Sequence, residues 1–151
     1  MPSIHFSSTV DAPPEAVYEA LTTADGLSGH WTDQLEVPEK EGGAARFGFG
    51  PGWAQTLELR VDELEPGRSV VWTPTGGFPG WVGTSIRWRL EPGEDGGTVL
   101  SFRHTGWPEA QADGEMARCG YTWAMIVDRL RAQVATGTRA PYFAAAAPLP
   151  R

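Results

Sequence analysis

The sequence predicts an α+β fold in which an antiparallel sheet wraps around one long C-terminal helix. Two observations carry this expectation. From Met116 to Val134, Met116, Cys119, Gly120, Trp123, Ile126, Val127, Leu130 and Val134 recur at helical spacing, and at about 100° per residue they share one helix face. Between the first short helix and this one, apolar residues alternate with period two and are broken by glycine and proline turns. A long helix with a large aromatic on its buried face, laid over such a strand-rich layer, can leave a cavity between the two.

The elements follow in order. Ile4, Phe6, Ser8 and Val10 alternate with His5, Ser7 and Thr9, which predicts a first strand. Asp11-Ala12-Pro13-Pro14-Glu15 opens a short helix whose prolines sit where amides have no helical partner. Ala16, Val17, Ala20 and Leu21 form its apolar face, and Thr22 to Trp31, containing Gly26 and Gly29, reads as a broken second helix that ends by burying Trp31. Ala45, Phe47 and Phe49 then alternate, Gly50-Pro51-Gly52 turns, and Gln55, Leu57, Leu59 and Val61 alternate in reply. After the turn Glu65-Pro66-Gly67-Arg68, a strand runs through Val70, Val71 and Trp72. Gly76 to Trp81 is too rich in glycine and proline for helix or strand and reads as a loop. Ile86, Trp88 and Leu90 form the next inward set, and Leu100, Phe102 and His104 share a face of the last strand. Residues 1–137 are expected to form one domain, and 138–151, with Pro141, Pro148 and Pro150 around an alanine run, a C-terminal tail.

Composition narrows the function. A chain of 151 residues fits one domain with a sizeable core. At 40% hydrophobic residues, and with no apolar run long enough to cross a bilayer, membrane insertion is not expected. A net charge of -7, with Lys40 the only lysine, opposes binding to a nucleic-acid phosphate backbone. The single cysteine, Cys119, lies on the apolar stripe and reads as a buried thiol, which suits a reducing compartment. Met1-Pro2-Ser3-Ile4-His5 lacks the basic and apolar regions of a signal peptide, so a cytoplasmic location is expected.

Several chemistries find no motif. Gly48-Phe49-Gly50-Pro51-Gly52 is followed by strand alternation where a dinucleotide site needs a helix, so it reads as a hairpin turn. His5, His30 and His104 are scattered, with neither His-x-His nor His-Glu-x-x-His, so no metal is expected. No Gly-x-Ser-x-Gly elbow is present, and no cofactor is expected. Glu109, Asp113 and Glu115 crowd the start of the long helix, where they complement its dipole.

Val10-Asp11-Ala12-Pro13-Pro14-Glu15-Ala16-Val17-Tyr18-Glu19-Ala20-Leu21-Thr22, with Trp31 beyond it, resembles the opening of the START-like (SRPBCC) superfamily. The chain is most similar to the branch named after the C-terminal domain of the activator of heat shock protein 90 ATPase. Thr98-Val99-Leu100-Ser101-Phe102 leading into His104-Thr105-Gly106-Trp107-Pro108 also fits, as does Gly120-Tyr121-Thr122-Trp123 through Leu130 with Gly137 and Pro141-Tyr142 after it. The resemblance implies a helix-grip fold, a curved antiparallel sheet holding the long helix with a cavity between them. It does not imply one function, since members include lipid carriers, polyketide cyclases and aromatases, plant hormone receptors, chaperone cofactors and many bacterial proteins. The eukaryotic chaperone activator has a further N-terminal domain that these 151 residues do not accommodate, which ranks chaperone activation last.

The expected function is binding of a small hydrophobic or aromatic molecule between the long helix and the sheet. Leu57, Trp72, Trp88, Phe102, Met116 and Trp123 are the expected walls, with His104 and Gln55 as polar contacts that orient the ligand. His104 faces inward and has two readings: a ligand contact or proton shuttle, or a core histidine with its hydrogen bonds satisfied. The first would suit a polyketide cyclase or dehydratase, although no acidic residue of inward parity stands beside it on the strands. Trp53 and Trp81, in glycine- and proline-rich loops, are candidates for a cavity mouth. A protein-interaction module related to the chaperone cofactor is the third reading. Tyr121 and Met125 lie opposite Trp123 on the helix and need a cover, either the tail through Tyr142 and Phe143 or the partner in a homodimer.

Overall fold

A computed structural model of the chain describes residues 2–145. Strand β1 (Ile4–Val10) buries Ile4 and Val10 and exposes His5, Ser7 and Thr9. Helix α1 (Pro14–Thr22) starts on a proline and buries Val17, Ala20 and Leu21. Helix α2 (Ala24–Ser28) is capped by Thr23, whose hydroxyl accepts the Gly26 amide at 2.9 Å. Six strands follow: β2 (Gln34–Glu36), β3 (Ala44–Phe49), β4 (Gln55–Glu65), β5 (Ser69–Gly76), β6 (Ser85–Pro92) and β7 (Thr98–Thr105). Helix α3 (Glu115–Thr136) closes the order and ends on Gly137, whose φ of 80° is the left-handed conformation that glycine adopts without a steric cost.

The seven strands form one antiparallel sheet in the order β1-β7-β6-β5-β4-β3-β2. Register shifts between Glu58 and Leu59, and between Val61 and Glu63, interrupt the β4–β5 ladder. Such bulges bend a strand and increase its twist, and they help curve the sheet around α3. Period-two parity holds on the long strands: Leu57, Leu59 and Val61 are buried, as are Ile86, Trp88 and Leu90, and Leu100, Phe102 and His104. This is the helix-grip architecture. The sequence reading lacks β2, because three residues are too few to display alternation.

Helix α3 buries Trp123, Ile126, Val127 and Leu130 against the concave face. Gly120 sits over Ile4, and the Arg131 Nε donates to the Thr9 carbonyl at 2.9 Å, which ties the helix to edge strand β1. The segment beyond α3 then doubles back. Amides of Ala140, Tyr142 and Phe143 donate to carbonyls of Gly29, His30 and Trp31 at 2.9, 3.1 and 2.8 Å. Phe143 therefore packs on Phe49, with ring centroids 4.9 Å apart. Tyr121 remains 66% exposed, so the described part of the tail, through Tyr142 and Phe143, does not cover it, and Met125 is half-buried. Pro148 and Pro150 lie outside the described residues.

A polar latch holds α2 to α3. The buried His30 Nδ1 donates to Gln133 Oε1 at 2.9 Å, and Gln133 Nε2 donates to the Gly26 carbonyl at 3.0 Å. Burial lowers the His30 pKa to about 4, so the ring is neutral at pH 7. Among the described residues no helix is long and apolar enough to cross a membrane.

Candidate functional site

A cavity of about 190 Å³ lies between the first half of α3 and the sheet end formed by β3 and β4. Trp31, Phe49, Gln55, Phe78, Trp81, Glu115, Cys119, Thr122, Trp123, Ile126 and Phe143 line it. Five of these side chains form a closed circuit. Centroid separations run 5.2 Å from Trp31 to Trp123, 5.8 Å to Trp81, 5.3 Å to Phe78, 5.4 Å to Phe49 and 6.0 Å back to Trp31. Phe143 stands edge-on to Phe49 outside the circuit. These are ordinary aromatic packing distances, so the walls support one another whether or not a guest is present.

Local structure explains how rings from distant segments meet. Trp31 follows α2 and is held by the Leu27 carbonyl and by the returning tail. Phe49 ends β3, and Trp123 lies on the buried face of α3. Phe78 and Trp81 come from the loop after β5. Gly77 turns that loop at φ 92°, and a Cβ there would lie 1.9 Å from the Thr56 carbonyl oxygen. Only glycine permits this approach. A 3-10 turn at Pro79–Trp81 then directs Trp81 inward.

The polar lining comes mostly from α3. Glu115, Cys119 and Thr122 follow one another at helical spacing, with Ile126 next, and Gln55 contributes from the start of β4. Burial raises the Cys119 thiol pKa to about 11, helped by the nearby Glu115 carboxylate, which leaves a protonated and unreactive thiol at pH 7. Among the described residues no group of three His, Cys, Asp or Glu side chains is placed to hold a metal.

His104 lies behind the wall. It is fully buried, with its ring centroid 4.7 Å from Trp81 and 6.3 Å from Trp123. The Trp123 indole N–H donates to His104 Nδ1 at 3.2 Å, which requires that nitrogen to be unprotonated. Nε2 therefore carries the proton and donates to Thr84 Oγ1 at 2.8 Å, and Thr84 donates onward to the Trp81 carbonyl at 2.6 Å. Burial without a charged partner lowers the imidazole pKa to about 3.

Of the sequence-derived site residues, the structure brings Gln55 and Trp123 to the cavity surface. Leu57, Trp72, Trp88, Phe102 and His104 face inward but fill the core behind it. Strand parity fixes the face of the sheet and not the depth: Trp31 packs on Trp72, Trp123 on Trp88 and Phe102, and Trp81 on His104. Met116 is half-buried against the core and does not line the cavity either. Trp81 takes its place at the wall, whereas Trp53 lies outside, over Gly48 and 5.2 Å beneath the Arg46 guanidinium. Sequence reasoning missed Glu115, Cys119 and Thr122 as lining residues. Cys119 belongs to the apolar stripe itself, and Glu115 and Thr122 flank it at helical spacing, one turn before and one turn after. Phe49, Phe78 and Phe143 arrive by a strand end, a loop and the tail, and carry no periodic signal.

The family model for "Activator of Hsp90 ATPase homolog 1-like protein" matches residues 11–135. The solution structure of the Aha1 dimer from Colwellia psychrerythraea is 30% identical, with a TM-score of 0.77, covering 91% of this chain and 98% of that one. DynU16, from the dynemicin biosynthetic locus, is 25% identical with a TM-score of 0.73, covering 94% of this chain and 50% of its own. MLL2253 from Mesorhizobium loti shares the fold at 18% identity, with a TM-score of 0.75 over 92% of this chain and 100% of that one. Comparison with curated proteins gives no match.

Proposed function

The chain belongs to the activator of Hsp90 ATPase homolog 1-like family, and from that premise we propose that it binds a small, mainly apolar molecule in the cavity beneath α3. The observation that carries this reading is the closed circuit of Trp31, Trp123, Trp81, Phe78 and Phe49 around a space of about 190 Å³. Drug-sized ligands use pockets of roughly 300–1,000 Å³, so the guest has few heavy atoms. An apolar cavity of about 150 Å³ suffices for benzene. Trp123 and Gln55 contact the guest in this reading, while Trp72, Trp88, Phe102, Leu57 and Met116 support the wall from behind.

The geometry favours binding over proton transfer by His104. Both ring nitrogens are engaged, the ring does not reach the cavity, and protonation is suppressed at neutral pH. A cyclase or dehydratase would need an acid or base at the surface, and the lining offers a single carboxyl side chain, Glu115, with no histidine beside it. The location of DynU16 in a biosynthetic locus makes a pathway intermediate a reasonable class of guest to screen.

Binding is tested with 4-fluorotoluene, followed through its fluorine resonance. Saturable one-site binding that disappears in a folded Cys119→Phe variant supports the reading, because the added ring occupies the cavity. Absence of saturable binding, or binding that survives the substitution, overturns it.

A second reading concerns assembly. Tyr121 is exposed on α3, and the similar Colwellia protein is a dimer, which supports a homodimer using this face. Analytical ultracentrifugation of the chain and of Tyr121→Glu tests it: a dimer that the substitution dissociates is expected, and a monomeric native chain contradicts it.

A further inference from the structure

The cavity has an electrostatic character that a neutral guest does not explain. Among its lining residues there is no lysine, arginine or histidine, and one carboxylate, Glu115. That carboxylate has no ion-pair or hydrogen-bond partner among the described residues. Arg118, one turn along α3, is exposed, lines a different surface depression and does not pair with it. The position of Glu115 is shaped by its surroundings: a Cβ on Gly80 would lie 2.0 Å from Glu115 Oε2. The carboxylate thus rests against the backbone of the loop that supplies Phe78 and Trp81, in a space that a side chain at position 80 would take.

A neutral apolar guest gains from the aromatic walls but nothing from this group, whose water it partly displaces, so it binds less tightly than the cavity allows. A cation reverses the balance. Indole and phenyl faces attract positive charge through their quadrupole, most strongly for tryptophan and most where water is excluded. A facing carboxylate adds direct attraction. The chain's net charge of -7 favours cations approaching from solution.

We propose that the guest is a small organic cation of the quaternary-ammonium or alkylated-amine class. Its charged head would be enclosed by Trp31, Trp81, Trp123, Phe49 and Phe78 and faced by Glu115. The proposal rests on the pocket-binding reading above and specifies the chemistry of its ligand.

Calorimetric titration with choline and with 3,3-dimethyl-1-butanol, its uncharged isostere, tests it, because the two differ in charge and hardly in shape. Choline is expected to bind at least about tenfold more tightly than the alcohol. In Glu115→Gln, the preference for choline over the alcohol should fall by about fivefold or more. Equal or tighter binding of the alcohol, or a choline preference that Glu115→Gln leaves intact, overturns the cationic assignment and leaves an apolar cavity standing. If neither compound binds, and 4-fluorotoluene also fails, the cavity reading falls together with this one.

Discussion

The indole N–H of Trp123 donates to Nδ1 of His104 at 3.2 Å, and this contact fixes the histidine as a neutral Nε2–H tautomer. It also joins the cavity to the core, because Trp123 is at once a cavity wall and the donor that satisfies the ring behind it. Thr84 completes the chain by accepting from Nε2 and donating to the carbonyl of Trp81, the neighbouring wall residue. Two tryptophans of the aromatic circuit are therefore positioned by one buried hydrogen-bond relay.

Acid should loosen this arrangement. Folding lowers the pKa of His104 to about 3 and of His30 to about 4, from an ordinary value of 6.5, chiefly by burial. Below about pH 6.5 the unfolded chain binds protons that these folded rings refuse. Their contribution to stability is thus fully present above that pH and is lost as pH falls toward 4 and then 3. Each histidine should remove about 1.4 kcal/mol per pH unit within its window. Urea unfolding at intervals from pH 7 to 4.5 measures the slope, and His30→Gln should roughly halve this histidine contribution. A profile flat across that range contradicts it.

Thr84→Val retains the shape of the side chain and removes the hydroxyl. The His104 Nε2–H then loses its acceptor in a dry interior, at a cost of about 1–3 kcal/mol. Thr84→Ser keeps the hydroxyl and should cost about 1 kcal/mol for the lost methyl group. Denaturant midpoints of the two variants should rank serine above valine. The reverse order would show that packing, not the relay, sets the requirement at this position.

Gly29 and Gln133 should be energetically coupled. A Cβ on Gly29 would lie 2.4 Å from Gln133 Nε2, so Gly29→Ala must displace the amide that holds His30. Gln133→Ala removes that amide outright and leaves the His30 donor unpaired. Each single change should cost about 1–3 kcal/mol, and the double variant should cost about as much as Gln133→Ala alone. A double-mutant cycle measures the coupling. Additive losses would contradict the latch.

The fold was legible because its signals are periodic. Alternation at Leu57, Leu59 and Val61 and at Ile86, Trp88 and Leu90, together with the helical stripe through Trp123 and Leu130, fixed element types and buried faces. The cavity was less legible because enclosure is a property of the assembled molecule. Trp88, Phe102 and His104 have the inward parity expected of a wall, yet Trp81 and Trp123 stand between His104 and the cavity. Phe49 and Phe78 meet only because Gly77 lets the β5–β6 loop cross close to Thr56. Glu115 had a sufficient local explanation at a helix start, which concealed its second position against Gly80.

Gly77 tests that loop directly. Gly77→Ala places a methyl against the Thr56 carbonyl in a left-handed backbone conformation, and both effects oppose the native loop. A loss of about 3 kcal/mol or more, or a shift of the loop that abolishes 4-fluorotoluene binding, is expected. Calorimetric melting and the fluorine titration measure the two. Native stability with intact binding would contradict the role given to this glycine.

The most direct test of the central claim is the set of indole N–H resonances of the 15N-labelled protein during titration with 4-fluorotoluene. Seven tryptophans give seven such signals. A cavity guest should shift those of Trp31, Trp81 and Trp123 saturably and together, while Trp53, outside the circuit, stays in place. If the three cavity tryptophans do not respond, or Trp53 moves while they remain fixed, the space beneath α3 is not a binding site.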